Sequence, residues 1–150
     1  MNSIQNIQQS EDIEKFLEDV GRLVAIPSVR DMETASAKAP FGKEIRKAFD
    51  AFMEIAQRMG FTVRDFDGYA LDAQIGEGDD YIGVLGHLDV VEAGEHSLWN
   101  SDPFVMRQEN GMLYGRGVND DKGPLLAALY AAARIKKEKR KLHHPIRILA

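Results

Sequence analysis

The sequence feature that most restricts the fold is a short apolar segment at residues 81–86 (YIGVLG), which follows the polar turn sequence at residues 76–80 (GEGDD). A continuous apolar run of this length, bounded by turn residues, is typical of a central β-strand that is covered on both faces. Segments with helical periodicity lie on both sides of it along the chain. This alternation predicts an α/β fold in which helices sandwich a mixed β-sheet.

Three segments have helical periodicity. The first begins after Ser10, a good N-cap residue that is followed by acidic side chains, and ends before Pro27. The second is amphipathic and extends from about residue 42 to residue 59. The third, residues 122–139, is rich in alanine and leucine and predicts a mostly buried helix. Its basic end should lie in solvent, because cations suit a helix C-terminus.

Strand patterns fill much of the remaining chain. Besides the apolar run, strands are predicted at residues 61–63, 69–75, 104–108, 112–114 and 145–150. The residues Asn110 and Gly111 between two of them are a hairpin signal. The last predicted strand reaches Ala150 without turn residues, so we expect the natural polypeptide to continue and residues 1–150 to be the N-terminal part of a domain.

Composition excludes several classes of partner and site. The chain has 150 residues, 44% hydrophobic and 29% charged, with a net charge of −5, so we expect neither a nucleic-acid nor an anionic-membrane partner. It has no cysteine, which excludes disulfides and thiolate ligands within it and leaves histidine, carboxylate and water for any metal. The first residues carry no apolar signal sequence, and no run of about 18 apolar residues exists, so a cytoplasmic protein is the expectation.

The first candidate site is His87-Leu88-Asp89, which directly follows the apolar run. Residues two apart in a strand point to the same side, so the imidazole and the carboxylate are expected to be neighbours. In open α/β folds, ligands bind at this end of the sheet strands. A carboxylate beside a metal-bound histidine fixes its tautomer. The same pair is also common as a purely structural hydrogen bond, and both interpretations stay open.

The second candidate is the loop at residues 114–124 (YGRGVNDDKGP), which leads into the last helix. Its three glycines allow a tightly folded loop around a ligand. The adjacent carboxylates of Asp120 and Asp121 repel each other unless a cation lies beside them, and Lys122, Arg116 or a metal could serve. Alternatively, either aspartate could cap the helix without any metal.

Other side chains are weaker candidates. His143 and His144 are expected in a surface turn, and Trp99 in core packing near the site or in a wall of it. No Gly-x-Ser-x-Gly elbow and no cysteine nucleophile occurs, so covalent acyl-enzyme chemistry has no carrier in this chain.

Taken together, the segments resemble the co-catalytic zinc peptidases of clan MH, which include aminoacylase, carnosinase and bacterial dipeptidase V. Residues 40–43 and 59–70 are most similar to the dipeptidase V group. One departure is Glu92, where the family usually has proline after the two valines. The resemblance rests on residues 23–29 (LVAIPSV), 83–91 (GVLGHLDVV), Trp99, 102–104 (DPF) and 114–124.

The resemblance implies a role for three residues. His87 would bind one zinc ion, Asp120 would bridge two, and Asp89 would orient His87. It also implies a cis peptide between Asp120 and Asp121. The general-base glutamate and the remaining ligands would follow Ala150. Residues 1–150 would then be an incomplete zinc-peptidase catalytic domain that lacks the lid or dimerisation domain.

The implied activity is zinc-dependent hydrolysis of dipeptides with a free N-terminus by a metal-bridged water. The cofactor would be two Zn²⁺ ions, although histidine and carboxylate also accept Mn²⁺ or Co²⁺. The partners would be a small peptide substrate and the rest of the catalytic domain, so we expect this chain alone to be inactive. The alternatives are an N-acyl-amino-acid deacylase of the same fold and a non-catalytic fragment or scaffold. The oligomeric state stays open.

Overall fold

A computed structural model describes the backbone of residues 2–150 and the side chains of residues 11–150. It contains three α-helices, six β-strands and two short 3₁₀ turns, in an order that confirms the predicted mixed α/β class. The helices are α1 (Asn2–Val24), α2 (Lys43–Arg58) and α3 (Lys122–Lys137). The strands are β1 (Thr62–Asp65), β2 (Leu71–Ile75), β3 (Ile82–Leu85), β4 (Arg107–Glu109), β5 (Met112–Tyr114) and β6 (Ile146–Leu149). Within residues 2–150, no helix has both the length and the apolar character that a membrane span requires.

The predicted start of the first helix is wrong, whereas its end is confirmed. Helix α1 begins at Asn2, so Ser10 lies inside it and does not cap it. Residues 2–9 include three glutamines and no glycine or proline, so nothing in them stops a helix. Both α2 and its stop signal are confirmed, because Gly60 follows the helix with a φ of 82°.

Four strands form one mixed sheet in the order β1-β2-β6-β3. Strand β2 is antiparallel to both β1 and β6, and β3 runs parallel to β6. The last strand of the chain therefore lies inside the sheet, between two strands that are much earlier in sequence. This arrangement brings the carboxyl ends of β3 and β6 together at one edge, where Gly86 N–H donates to Leu149 O at 2.9 Å.

The prediction that the apolar run forms a central, doubly covered strand is wrong for the described residues. Strand β3 is the edge strand of the four-stranded sheet, and Ile82 and Leu85 are 56% and 81% exposed. An apolar run predicts a buried strand, but it does not specify which strands or helices cover it. The two interior strands are β2 and β6, and the sequence gives no sign that either differs in position from the other predicted strands.

The three helices share one hydrophobic core with one face of the sheet. Along β2, Leu71, Ala73 and Ile75 face this core, whereas Asp72 points to the opposite face. There the buried Asp72 carboxylate accepts hydrogen bonds from the guanidinium groups of Arg64 and Arg147. The second helical layer expected from the sequence is not among the described residues.

Strands β4 and β5 form a separate two-stranded hairpin. Its turn residues Asn110 and Gly111 have φ values of 52° and 76°, as the predicted hairpin turn requires. The strand before the turn begins at Arg107 and not at Phe104. The hairpin leads directly into the glycine-rich loop that precedes α3.

We expect Asp65 to stabilise the turn between β1 and β2 in a pH-dependent way. Its carboxylate accepts hydrogen bonds from Gly68 N–H at 2.7 Å and from Arg46 Nη1 at 2.5 Å. Burial alone would raise the pKa of Asp65, but these hydrogen bonds and the charge of Arg46 lower it below its usual value. The carboxylate therefore stabilises the fold above the unfolded pKa, and this contribution is lost as pH falls through the lower folded pKa.

Replacement Asp65→Asn should lower the free energy of unfolding at pH 7 by about 1 kcal/mol, and the difference should shrink towards about pH 3. Urea unfolding of the wild type and the variant at pH 7 and at about pH 3 measures this difference in the free energy of unfolding. Asp67→Asn, an exposed change in the same turn, is the matched control and should have little effect. An equal loss of stability for Asp65→Asn at both pH values would contradict the assignment.

Candidate metal centre

His87 lies just beyond the carboxyl end of β3, at the edge where β3 and β6 end together. The hydrogen bond from Gly86 N–H to Leu149 O is the last one of this parallel pair, so the chain leaves the sheet at His87. Its side chain is 47% exposed. The position matches the expectation that ligands bind at the carboxyl ends of parallel strands.

The structure brings together all three predicted site residues. His87 Nδ1 lies 3.1 Å from the carbonyl oxygen of Asp89 and 3.2 Å from its Oδ1. These acceptors favour a proton on Nδ1, which leaves Nε2 as the nitrogen available to a metal. His87 Nε2 in turn lies 2.9 Å from Asp120 Oδ1. The two predicted metal ligands, 33 residues apart in sequence, thus face each other directly.

The contacts of His87 favour its charged form in the absence of a metal. Burial alone would lower its pKa, but the hydrogen bonds to the Asp89 carbonyl and the Asp120 carboxylate, together with the charges of both aspartates, raise it above the usual value. A metal ion binds the neutral imidazole and the carboxylate, so it would compete with a proton on Nε2. Metal binding at this pair should therefore release a proton.

The alternative that Asp120 or Asp121 serves only to cap α3 is not supported. Asp121 occupies the N-cap position, but its side chain makes no capping hydrogen bond. Its Oδ2 instead accepts a hydrogen bond from His87 N–H at 3.3 Å. Asp120 has an 84% exposed side chain that faces His87. The cis peptide expected between the two aspartates is present.

Gly86 allows this close approach of the loop to the strand end. A Cβ atom at residue 86 would lie 2.4 Å from Asp121 Oδ2 and 2.7 Å from Leu125 Cδ1. Any larger residue would therefore displace the Asp121 carboxylate or the Leu125 side chain. Glycine at this position is required by contact between two segments and not by backbone conformation.

The basic residues of the loop do not neutralise the two aspartates. Lys122 is completely buried, and its Nζ donates to the carbonyl oxygens of Leu23 at 2.8 Å and Ile26 at 2.7 Å. Burial lowers the pKa of Lys122 to about 8, although the charge of Asp89 opposes this shift. Within residues 11–150, no lysine or arginine forms an ion pair with Asp120 or Asp121. A cation at His87 and Asp120 would supply the missing positive charge.

Arg116 contacts Trp99 and does not contact the aspartates. Its guanidinium lies 5.2 Å from the centre of the Trp99 ring, and its Nη2 donates to the Glu92 carbonyl at 3.2 Å. Trp99 is outside the main hydrophobic core and donates from Nε1 to the Ala93 carbonyl at 2.9 Å. His144 lies in the predicted surface turn, with Nδ1 3.2 Å from the Asp80 carbonyl.

Three residues of the site make contacts that were not predicted from the sequence: Asp121, Lys122 and Ser28. Ser28 is completely buried, and its Oγ donates to the Leu88 carbonyl at 2.6 Å. All three lie in segments that carry the resemblance to zinc peptidases, which was the only signal that could have selected them. Within the described residues, no group of three or more potential ligands is arranged to hold an ion. His87 and Asp120 therefore form a pair of donors and not a complete metal centre.

Sequence relatives of this chain are dipeptidases by name. The chain is 38% identical to a putative dipeptidase, YtjP, of Bacillus subtilis over 146 residues, which is 97% of its own length. It is 43% identical to the Beta-Ala-Xaa dipeptidase of Lactobacillus delbrueckii subsp. lactis over 123 residues, or 81% of its length. It spans only 30% and 26% of these two relatives.

Solved structures and family models give the same similarity to peptidases. The crystal structure of human carnosine dipeptidase 1 superimposes with a TM-score of 0.71 and 25% identity, covering 91% of this chain and 31% of that one. Residues 83–150, which contain His87, Asp89 and Asp120, match the model of peptidase family M20/M25/M40. Residues 83–150 thus match the M20/M25/M40 family of peptidases, and the chain as a whole is similar in sequence to dipeptidases.

Proposed function

We propose that the complete protein is a zinc-dependent dipeptidase and that residues 1–150 supply part of its active site. The observation that carries the proposal is the 2.9 Å contact between His87 Nε2 and Asp120 Oδ1 at the carboxyl end of β3. Neither side chain is part of the hydrophobic core, and neither caps a helix. Their other role would be an exposed surface ion pair, which usually contributes less than about 1 kcal/mol to stability.

The donor set fits a divalent ion. His87 and Asp120 offer one imidazole nitrogen and carboxylate oxygens, a combination that suits zinc and also accepts manganese or cobalt. Asp120 would bridge two ions and His87 would bind one of them. When bound, such a pair of ions activates a water molecule and polarises the scissile carbonyl group.

The residues of this chain would prepare the site for that chemistry. Asp89 holds the proton on His87 Nδ1 and keeps the imidazole plane fixed, so that Nε2 faces the metal position. Asp121 ties the loop to the strand end through His87 N–H. The general base and the remaining ligands are proposed to come from residues that follow Ala150. The spans of 30% and 26% in the two relatives, together with the exposed edge of β3, support this division.

The relatives favour a dipeptidase over the two alternatives. The Lactobacillus relative is a Beta-Ala-Xaa dipeptidase and the human structural relative is a carnosine dipeptidase, by their names. No matched protein described above is a deacylase. A non-catalytic scaffold would not need His87, Asp89 and Asp120 to converge at one edge of the sheet.

The first test removes the proposed ligands. In the full-length enzyme that the proposal requires, His87→Ala and Asp120→Ala should each abolish zinc-dependent hydrolysis of a β-alanyl dipeptide and reduce the bound metal. Activity assays with a dipeptide and an N-acetylated amino acid side by side, combined with elemental analysis, measure both effects. The dipeptide should be the preferred substrate.

The matched controls are His144→Ala and Asp80→Ala, because these residues form a second His–Asp pair in a surface turn, with Nδ1 and Oδ2 3.4 Å apart. Both control variants should keep metal and activity. Unchanged occupancy of two metals in His87→Ala or Asp120→Ala would refute the ligand assignment.

Asp89→Asn tests the orienting role separately. The side-chain shape is kept but its negative charge is lost, so kcat/KM should fall by roughly 10- to 100-fold while zinc stays bound. Glu92→Gln removes a nearby charge that has no contact with His87 and should change kcat/KM little. Steady-state kinetics on the zinc-loaded proteins measures kcat/KM. Full activity of Asp89→Asn would show that Asp89 is not needed to orient His87.

Gly86→Ala tests the contact between the strand end and the loop. Its Cβ would displace Asp121, so the zinc affinity should fall by about 10- to 100-fold in a competition titration with a chromophoric chelator. Gly83→Ala, in the same strand, is the control, because its Cβ would meet nothing closer than a Tyr81 ring carbon at 3.4 Å. Equal affinities for the two variants would show that the contact is not needed.

A further inference from the structure

We infer that Lys122 is a positioning residue, whose buried ammonium group connects the loop that carries Asp120 to the segment that holds Asp89. The connection passes through the C-terminal end of α1. This inference rests on the proposed function, since it assigns a role in aligning the metal ligands. It concerns a side chain that touches neither His87 nor Asp120.

The ammonium group of Lys122 is fully removed from water. The residue is 0% exposed, and Nζ donates to Leu23 O at 2.8 Å and to Ile26 O at 2.7 Å. A buried charge is tolerated only where strong partners replace water. The end of a helix is such a partner, because its last carbonyl groups carry partial negative charge. Lys122 thereby fixes the point where α1 ends and the chain turns towards Ser28.

Ser28 connects the end of α1 to the candidate site through two hydrogen bonds. Its Oγ donates to Leu88 O at 2.6 Å, and its carbonyl accepts from Val90 N–H at 3.0 Å. The two hydrogen bonds flank Asp89 on both sides along the chain. All three contacting residues, Ser28, Leu88 and Val90, are buried. The orientation of Asp89, and through it that of His87, thus depends on where α1 ends.

Gly117 lies between the stem of Lys122 and the same segment. Lys122 N–H donates to Gly117 O at 3.0 Å. A Cβ at Gly117 would lie 2.9 Å from Val90 Cγ1 and 3.0 Å from Lys122 Cδ, so only glycine fits between them. Besides the contact between His87 and Asp120, two hydrogen-bonded routes therefore join the two ligand-bearing segments. Asp121 links them directly at His87 N–H, and Lys122 links them indirectly through α1 and Ser28.

The experiment uses the full-length enzyme loaded with Co²⁺, whose visible absorption reports the coordination geometry. Lys122→Met keeps the length of the side chain but removes the ammonium group. We expect kcat to fall by about 10- to 100-fold with little change in KM, weaker Co²⁺ binding and an altered cobalt spectrum. Ser28→Ala, a smaller change in the same connection, should alter the spectrum in the same direction.

Tyr130→Phe is the matched control, because it removes a 2.6 Å hydrogen bond to Asp19 that joins α3 to α1 away from the site. It should lower the melting temperature but leave kcat and the cobalt spectrum unchanged. If Lys122→Met does not fold, Ser28→Ala decides the question.

Two results would overturn the inference. Variants at Lys122 and Ser28 that lose stability but keep the wild-type spectrum and kcat would show a purely structural role. A wild-type enzyme that neither binds cobalt nor cleaves dipeptides would instead refute the proposed function, and the inference with it.

Discussion

The candidate site depends on the contact between the carboxyl end of β3 and the loop before α3. Gly86 leaves room for the Asp121 carboxylate, which accepts the backbone N–H of His87 at 3.3 Å. This hydrogen bond sets the distance between the two segments, so that His87 Nε2 and Asp120 Oδ1 come within 2.9 Å. A side chain at position 86 would displace the Asp121 carboxylate and thereby remove this hydrogen bond.

Electrostatics explains why this arrangement suits a cation. Asp89, Asp120 and Asp121 surround one imidazole, while the nearby ammonium of Lys122 is bonded to backbone carbonyl groups and the Arg116 guanidinium lies against Trp99. Although burial alone would lower it, the pKa of His87 is raised by the hydrogen bonds to the Asp89 carbonyl and the Asp120 carboxylate and by the charges of these two aspartates. A divalent ion would replace the proton and offset more of the charge than a proton does.

The fold supplies rigidity on one side of the site only. Helices α1, α2 and α3 share a hydrophobic core with β2 and β6, and this core anchors both the start of α3 and the end of α1. On the opposite side, the outer edge of β3 is exposed among the described residues. The loop that carries Asp120 is thus anchored by the buried side chains of Leu125 and Lys122. The Asp120 side chain itself is exposed.

The sequence by itself determined the order and type of the elements and, through the family resemblance, the residues His87, Asp89 and Asp120. The predictions of the helices and strands succeeded because periodicity, Gly60 and the Asn110–Gly111 turn are local signals that act over a few residues. The roles of the three site residues stay proposals. Only the tertiary structure decided that β3 lies at the sheet edge, since an apolar run does not specify its neighbours. It also decided the roles of Asp121, Ser28 and Lys122, because their partners lie 34, 60 and up to 99 residues away in sequence. Such contacts exist only after the sheet and helices have packed, and no local pattern encodes them.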